Sequence, residues 1–470
     1  MGETMGHIAI VGGGIVGTCA AIMLARDGHD VTVLERDPAT APSPDTAWDE
    51  WERRGVNQFR MIHYFLPRFR AVAEAELPGL TEALVAAGAL RNNPIDGIPA
   101  DLTGGRRDGD ERFDTVTARR PIAESVVAAM AAATPGLTIR RGVAVTGLVA
   151  APGADGVVHV SGLRTADGEE ITADLVVDAG GRRSAMADWL RAAGSPGPVE
   201  MVEDSGFVYY ARHFRSADGS VPPAFGGLLQ PYGSVSLLTL PADNGTWGVG
   251  IIASSKDAPM RAVLDAVCWE RVIRAYPMVA HWIDAEAITD VEVMAKIEDR
   301  QRTYVVDGVP VATGVVPLAD AWACTNPSLG RGISIGLVHA AALRALVRDE
   351  MSSDPTALAV RWSELTASTV QPLFDDTLAF DRHRLAEIEA VVDGHEYATD
   401  DPGWLLGKAL ESAMFHDPEL LRGFIDIVSL MERGVDVLSR PGVAEKAIAL
   451  ADPTPPPGPN RSELLALIGA

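Results

Sequence analysis

Short blocks of apolar residues, separated by glycines and polar residues, open the chain and predict alternating strands and helices. Residues 7–11 form an apolar run of strand length, residues 19–27 are rich in Ala, Leu and Met, and residues 30–35 form a second run that ends in an acid. Two strand-length runs around a helix-forming run are typical of a βαβ unit. The pattern therefore predicts a strand, a turn, a helix and a second strand.

The turn after the first strand carries glycines at the spacing G-x-G-x-x-G. Gly12 permits a tight turn, Gly14 lets the backbone approach a pyrophosphate at the helix N-terminus, and Gly17 lets helix and strand pack closely. Glu35 ends the second strand, where a carboxylate binds the ribose hydroxyls of adenosine. We interpret this order of elements as a dinucleotide site; the alternative is a glycine-rich turn without a ligand.

Residues 8–25 carry no charge, so hydropathy alone would suggest a membrane span or a signal peptide. The glycines interrupt this stretch, no Lys or Arg precedes it, and no small-residue cleavage site follows it. We therefore expect no membrane span.

The middle of the chain changes from helical to β-rich patterns. Residues 38–50 are rich in Pro and Ala and predict a loop, and residues 52–90 predict two helical stretches broken at Pro78. Residues 117–152 predict a helix followed by a strand and a hairpin. Residues 195–300 alternate strand-like runs with Gly and Asp turns, which predicts an antiparallel sheet.

A second glycine loop lies nearly 300 residues after the first. Residues 309–316 predict a strand, Asp320 opens the loop, Pro327, Gly330 and Gly332 follow, and residues 332–349 predict a long helix. Glycines there let backbone N–H groups approach a flavin ring, and the helix presents its positive end to the charge that reduction places on the ring. A structural glycine loop is the alternative.

The last part of the chain is predicted to be helical. Residues 350–451 predict charged helices without a catalytic motif, residues 453–459 form a Pro-rich linker, and residues 462–470 predict a short terminal helix.

Composition narrows the class of protein. The 470 residues are 47% hydrophobic and 22% charged, which suits two or three domains with sizeable cores. A net charge of −24 disfavours nucleic acid as a partner. Three scattered cysteines without a C-x-x-C pair predict neither disulfides nor a metal site, and we expect a cytoplasmic protein.

The two glycine motifs, in this order, resemble those of the FAD-dependent monooxygenases of the para-hydroxybenzoate hydroxylase type, with relatives among the geranylgeranyl reductases and flavin halogenases. The likeness covers about residues 7–345. Halogenases carry a lysine shortly after the first motif, whereas no lysine precedes Lys256 here, which disfavours halogenation.

The resemblance implies further contacts to FAD. Arg36 follows Glu35 as in FAD-binding hydroxylases, and Arg53 lies in an R-x-G-V turn in which the arginine approaches the FAD phosphates. Arg120, or alternatively Arg119, corresponds to the arginine that opens a helix beneath the flavin. For Arg36 and Arg53 the alternative is a solvated charge on the surface or on a polar helix face.

Two positions depart from the family pattern. Ala319 replaces the glycine that usually precedes the acid of the second loop. Gly181 replaces an aspartate linked to the use of FAD and NADPH. Asp178 opens a D-A-x-G-R arrangement like that of geranylgeranyl reductases and halogenases, with Gly180 at its variable position. The resemblance still implies FAD, with NAD(P)H as electron source either directly or through a separate flavin reductase.

The predicted fold class is α/β: a Rossmann-like FAD-binding domain of the glutathione reductase type, an inserted antiparallel β-sheet substrate domain and a helical C-terminal region. We expect the FAD-binding domain to comprise residues 1–90, 112–192 and 296–349. The substrate domain would comprise residues 91–111 and 193–295, and the helical region residues 350–470 with the linker 453–459.

The resemblance implies an FAD-dependent monooxygenase, a hydroxylase or epoxidase that inserts one oxygen from O2 into a small or medium organic substrate through a flavin C4a-hydroperoxide. A reductase or dehydrogenase of a hydrophobic double bond is the alternative, and a non-catalytic flavin-binding protein is a third hypothesis. For the catalytic acid or base, His63 and Tyr210 are weak candidates. The sequence leaves the oligomeric state open.

Overall fold

The computed structural model describes residues 6–56, 58–153, 156–351, 354–452 and 454–470. Pro453, the first residue of the predicted linker, lies outside the described residues.

The strands are numbered in chain order. They are β1 His7–Val11, β2 Asp30–Glu35, β3 Leu90–Asn92, β4 Thr115–Thr117, β5 Leu137–Arg141, β6 Val145–Pro152, β7 Val158–Thr165, β8 Glu170–Thr172, β9 Leu175–Asp178, β10 Val199–Asp204, β11 Phe207–Arg215, β12 Leu229–Tyr232, β13 Val235–Pro241, β14 Thr246–Ser254, β15 Glu286–Ala287, β16 Glu292–Met294, β17 Glu298–Thr303, β18 Val305–Val306, β19 Val309–Pro310, β20 Ala312–Thr313, β21 Val315–Pro317 and β22 Ala323–Cys324.

The α-helices are α1 Ile15–Arg26, α2 Pro44–Glu50, α3 Pro67–Glu76, α4 Leu80–Ala86, α5 Ala100–Thr103, α6 Arg120–Ala132, α7 Met186–Ala192, α8 Ala266–Arg274, α9 Gly332–Glu350, α10 Pro355–Thr369, α11 Gln371–Val392, α12 Pro402–Ala413, α13 Pro418–Val428, α14 Gly434–Leu438, α15 Val443–Leu450 and α16 Arg461–Ile468. Short 3-10 helices span Asp110–Phe113, Ala258–Leu264, Ala280–Ile283 and Ala319–Ala321.

A five-stranded parallel sheet forms the centre of the cofactor-binding half, in the order β21-β9-β1-β2-β5. Ile8, Ala9 and Ile10 of β1 are fully buried, because helices including α1 and α9 cover one face of the sheet and strands β6–β8 cover much of the other. The carboxyl ends of these strands meet at one edge, so the loops after β1, β2, β9 and β21 lie together there.

An antiparallel sheet forms the second layer, in the order β12-β13-β14-β11-β15, with β16 also paired to β11. One face of this sheet packs against α8 and α16 through the buried side chains of Trp269 and Leu464. Arg461 at the start of α16 forms an ion pair of 2.7 Å with the buried Asp257. The terminal helix therefore packs on its own chain.

The predicted fold class is confirmed: a Rossmann-like parallel sheet, an antiparallel sheet and C-terminal helices are all present. The domain boundaries stay a prediction. Among the helices that the structure describes, none combines the length and the apolar character needed to span a bilayer.

Three local predictions are wrong. Part of the predicted loop 38–50 is helix α2, because Pro44 follows Ser43 at the first helical position, where its missing N–H costs nothing. Residues 52–56 and 58–66 are not helical, and within them Gly55 lies against the Arg36 guanidinium. The predicted strand 309–316 is divided into β19, β20 and β21.

The division before β21 follows from Gly314. This residue has φ +73°, and a Cβ there would lie 2.0 Å from the Val160 carbonyl oxygen. An extended strand cannot pass through a left-handed position, so the run changes partner at this glycine.

Candidate cofactor and active site

A cavity of about 1440 Å³ opens at the carboxyl edge of the parallel sheet. Its walls come from both glycine loops, from the antiparallel sheet and from helices α11–α14. Nearly all cofactor-binding residues predicted from the sequence line it, namely Gly12, Gly14, Glu35, Arg36, Arg53, Arg120, Gly180, Asp320, Pro327, Gly330 and Gly332. Gly17, also predicted as a cofactor-binding residue, lies in α1 behind the turn.

The first glycine turn leaves one backbone position open to the cavity. Gly12 has φ +101°, and a Cβ there would lie 2.4 Å from the Ala179 carbonyl oxygen; a Cβ at Gly17 would lie 2.5 Å from the Gly12 carbonyl oxygen. At Gly14 an added Cβ would meet no atom within 4 Å. Two glycines thus hold the turn against the sheet, while the third gives a ligand access to the start of α1.

Glu35 belongs to a buried chain of charges. Its carboxylate accepts hydrogen bonds from the backbone N–H groups of Gly13, at 2.9 Å, and Asp37, at 2.8 Å. Arg53 bridges Glu35 and Glu124 and also donates to the Gly13 carbonyl oxygen. Arg53 is therefore neither a solvated surface charge nor a residue on a polar helix face; it holds the glycine turn to its neighbours.

The two arginines at the start of α6 point to different places. Arg119 forms a buried ion pair with Asp243 at 2.6 Å and lies over the Trp48 ring. Arg120 lines the cavity and donates to Glu124 at 2.7 Å. Of the two alternatives for the arginine beneath the flavin, only Arg120 lies at the cavity.

The loop after β9 is organised by a buried aspartate. Asp178 accepts hydrogen bonds from the Gly180 N–H and from the Ser184 hydroxyl, and burial raises the pKa of its carboxyl group. Gly181 has φ +72°, with no atom within 4 Å of an added Cβ. Asp178 thus shapes the loop, and the Gly181 position is open.

Asp320 lies in a 3-10 turn, and its carboxylate faces the cavity. No described group donates a hydrogen bond to this carboxylate, and the positive charges of Arg120 and Arg182 favour its ionised form. The side chain is accessible to solvent because the cavity is open in front of it. An unpaired carboxylate in such a place suits a ligand with several hydroxyl groups.

The residue before Asp320 is held in an unusual conformation. Ala319 has φ +51°, in the left-handed region that favours the glycine of the family pattern. Its N–H donates to Nδ1 of His339, a buried residue that stacks on Trp362 with ring centroids 4.4 Å apart. Burial lowers the pKa of His339 to about 3, so the ring is neutral and its Nδ1 remains an acceptor.

The second glycine loop leads directly into α9. Gly330 has φ +64° and follows a turn in which its N–H donates to the Pro327 carbonyl oxygen at 2.9 Å. An added Cβ at Gly332 would meet no atom within 4 Å. The first turn of α9 is therefore open to the cavity, as the sequence predicts.

His63 faces the cavity, and one of its two ring nitrogens is hydrogen-bonded to the protein backbone. Nδ1 of His63 lies 2.7 Å from the Met61 carbonyl oxygen. Nδ1 therefore donates a hydrogen bond to this oxygen, and Nε2 is left as an acceptor at the cavity wall. Burial, followed by the positive charge of Arg120, lowers the pKa of His63 to about 4. A neutral imidazole at the cavity wall can accept a proton from a bound molecule.

Tyr210 does not line the cavity; it packs in the apolar cluster against α8. Successive residues of β11 point to opposite faces, so Tyr209 faces the cavity instead and its hydroxyl donates to the Asn326 side chain at 2.7 Å. The structure thus favours His63 over Tyr210.

Sequence reasoning missed a polar cluster behind the second glycine loop. Asp381 of α11 accepts hydrogen bonds from Ser328 and from the Asn326 amide, and Asp299 accepts from the Asn326 backbone N–H at 2.7 Å. Burial raises the pKa of Asp381 to about 7 and that of Asp299 to about 6. No motif marks Asp381, because it contacts the loop from a helix more than 50 residues away.

These observations fit FAD. The open backbone at Gly14, the unpaired Asp320 carboxylate and the accessible start of α9 all face one cavity. Single ligand pockets usually have about 300–1,000 Å³. The cavity exceeds that range, so it has room for a dinucleotide and a second ligand.

Comparison with known proteins also supports FAD as the cofactor. A family model described as FAD dependent oxidoreductase matches residues 7–47. Protein Rv3254 of Mycobacterium tuberculosis is 29% identical over 401 residues, which cover 80% of this chain and 80% of that protein.

Two solved structures show the relationship in fold. PqsL, a probable FAD-dependent monooxygenase from Pseudomonas aeruginosa, is 16% identical, with a TM-score of 0.59 over 82% of this chain and 100% of its own. The flavin-dependent brominase Bmp2, as a triple mutant, is 15% identical, with a TM-score of 0.57 over 94% of this chain and 98% of its own. One fold thus serves more than one reaction.

The resemblance drawn from the two motifs is therefore confirmed, and FAD is supported as the cofactor. The chain has the fold of the FAD-dependent monooxygenases, and the match of its N-terminal segment supports an FAD-dependent oxidoreductase.

Proposed function

We propose that the protein is an FAD-dependent monooxygenase that places one oxygen atom of O2 on a small or medium organic substrate. One observation carries the proposal: both glycine loops, 300 residues apart, open into the same cavity with an unpaired Asp320 carboxylate between them. Bound FAD would supply the activation of oxygen, which no amino-acid side chain provides.

The chain's own residues have separate tasks in holding FAD. The start of α1 at Gly14 would bind the pyrophosphate, and Glu35, with Arg36 nearby, would bind the adenosine ribose. Asp320 would hold the ribityl hydroxyls, and residues 327–332 with Arg120 would contact the ring. Arg53 acts through Glu35 and the Gly13 carbonyl, so we propose it as a positioning residue rather than a phosphate contact.

The remaining cavity walls would bind the substrate, accept a proton from it and shield it from water. His63 offers a neutral Nε2 that can take a proton from a substrate hydroxyl, and Asn92 donates to the hydroxyl of Tyr64 beside it at 2.9 Å. Leu228, Leu240 and their apolar neighbours would shield a bound substrate from water, which would strengthen its polar contacts.

Isotope labelling tests the proposal. Purified protein should contain FAD and, with a flavin reductase and NAD(P)H present, should turn over members of a phenol and alkene panel with one 18O atom incorporated from labelled O2. His63→Asn should retain FAD but lose turnover. Protein without flavin, or products that take their oxygen from water, would refute the proposal.

The source of electrons is a separate proposal. Because Gly181 lacks the carboxylate that the family carries at this position, we expect NADPH to reduce the flavin slowly and a separate flavin reductase to be required. Rapid bleaching of the flavin by NADPH in the purified protein would contradict this.

A second candidate function is reduction or dehydrogenation of a hydrophobic double bond. The D-A-x-G-R arrangement at Asp178 and the mainly apolar cavity walls favour it. Turnover without oxygen separates the two, since only the reductase or dehydrogenase would continue to form product under anaerobic conditions.

A further inference from the structure

The cavity extends well beyond the two glycine loops. Its far part is enclosed by α12, α13 and α14, which follow every residue predicted to contact FAD. The volume of about 1440 Å³ is more than a single ligand pocket usually needs. We call this far part the C-terminal compartment, defined by the partly exposed wall residues Leu406, Phe415, Phe424, Ile427, Val435 and Leu438.

The walls of the C-terminal compartment are apolar, and the charged side chains nearest to it are paired with each other. Lys408 contacts Glu411 at 2.8 Å, and Arg433 contacts Asp376 at 2.8 Å. All four of these side chains line the same cavity, and each pair neutralises its own charges there. The compartment therefore offers hydrocarbon surface to its occupant.

Helix α13 is fixed in place. Arg422 donates to both carboxylate oxygens of Asp110, and it also donates to the carbonyl oxygens of Thr103 and Gly105. Asp426 on the same helix pairs with Arg112 at 2.9 Å. A wall anchored by two ion pairs to residues 103–112 is preorganised for its ligand rather than formed around it.

Leu430 lies where the cavity wall changes from the segment after α13 to residues 64–66 on the flavin side. It has φ +59°, a left-handed conformation that is costly for a bulky residue and is found where neighbouring structure enforces it. Its side chain packs against Tyr64 and Leu66 of the flavin side, and all three line the cavity. The strained backbone directs an apolar side chain to the point where the two parts meet.

We propose that the substrate carries an extended hydrocarbon portion, which the C-terminal compartment binds while the reacting group lies beside His63. This proposal rests on the proposed function for the position of the reacting group. The class of substrate would be a phenol or alkene with a long alkyl chain.

The test uses the FAD-loaded protein and a series of 4-alkylphenols with propyl, hexyl, nonyl and dodecyl chains. Affinity is measured by calorimetry or by displacement of a fluorescent apolar dye. We expect affinity to rise by up to about fourfold for each methylene buried, until the compartment is full. Affinity that does not depend on chain length would overturn the proposal.

A matched pair of variants on α12 tests where the hydrocarbon chain of the ligand binds. An added Cβ at Gly407, which lines the cavity, would meet no atom within 4 Å, so Gly407→Phe should fold and shorten the compartment. Leu405 lies two residues away and is 51% exposed, so Leu405→Phe is the control. Only Gly407→Phe should weaken binding of the dodecyl compound while leaving the propyl compound unchanged; equal effects of the two variants would also overturn the proposal.

Different measurements show whether the proposed function or the compartment proposal is wrong. Flavin absorbance of the purified protein and its oxygen-dependent turnover report on the proposed function, whereas the chain-length series reports only on the compartment. A protein that binds FAD and short phenols but gains nothing from longer chains would refute this inference alone.

Discussion

Asp381 provides a prediction that can be worked out from the structure. Its carboxyl group is 2% exposed and faces Ser328, Asn326, Asp299 and Arg331 behind the second glycine loop. Burial, with the negative charge of Asp299, raises its pKa from 3.8 to about 7. Asp381→Asn keeps the size of the side chain and the acceptor for Ser328, but it cannot ionise.

The sign of the effect follows from proton binding. The carboxyl group ionises near 3.8 in the unfolded chain, while the folded protein keeps its proton to about pH 7. The folded state therefore binds more protons in this window, and its stability falls as pH rises, by about 1.4 kcal/mol for each pH unit. Above pH 7 the loss of folded-state stability caused by this carboxyl group amounts to ~4 kcal/mol in total. Asp381→Asn has no such loss, because its side chain does not ionise.

Urea unfolding followed by circular dichroism measures this difference, with FAD in fixed excess. Between about pH 5 and about pH 8, the stability of Asp381→Asn relative to wild type should improve by ~3 kcal/mol. Asp375→Asn, on the exposed side of the same helix, should change stability by less than about 0.5 kcal/mol at both pH values. An unchanged difference between wild type and Asp381→Asn would show that Asp381 is ionised in the folded protein.

Four shorter predictions concern the cofactor and the reaction. Gly17→Ala should lower the free energy of unfolding by about 1–3 kcal/mol, whereas Gly14→Ala should leave it unchanged and weaken only FAD binding; equal unfolding midpoints in urea would contradict this. Asp320→Ala should weaken FAD binding by about 10- to 100-fold without loss of apoprotein stability, because its carboxylate lacks a partner in the protein; unaltered FAD titrations would refute its role. If His63 is the base, turnover should fall only as the pH approaches about 4, and His63→Asn should lose about 100-fold or more; an acid limb near pH 6.5 that survives in the variant would exclude it. Gly181→Asp should fold normally and accelerate flavin reduction by NADPH in stopped-flow absorbance, since an added Cβ there would meet no atom within 4 Å and aspartate tolerates φ +72°; no acceleration would exclude the missing carboxylate as the cause.

The parts of the fold that could be predicted are those specified by local pattern. The apolar run 7–11, the glycine turn and the helix from Gly332 all appear where the sequence places them. The break at Pro78 is also correct, since α3 ends at Glu76 and α4 begins at Leu80. Each of these elements is decided by steric rules that act within a few residues.

The contacts that could not be predicted join residues far apart in sequence. Nothing local distinguishes Asp381 from the other acids of α11, and its role depends on Ser328 lying against it. The choice of Arg120 over Arg119 likewise needed the position of Asp243, more than 120 residues away. Tertiary packing decides which of two adjacent, equally suitable side chains reaches the cavity.

The anchoring of α13 has an evolutionary consequence. Every residue predicted to contact FAD lies before residue 333, while the walls of the C-terminal compartment begin after residue 401 and are fastened through Arg422 to Asp110, which does not line the cavity. Mutations in α12–α14 can therefore reshape the compartment without altering the flavin site. In such an arrangement, new substrate ranges can arise within a lineage while the oxidative chemistry is inherited intact.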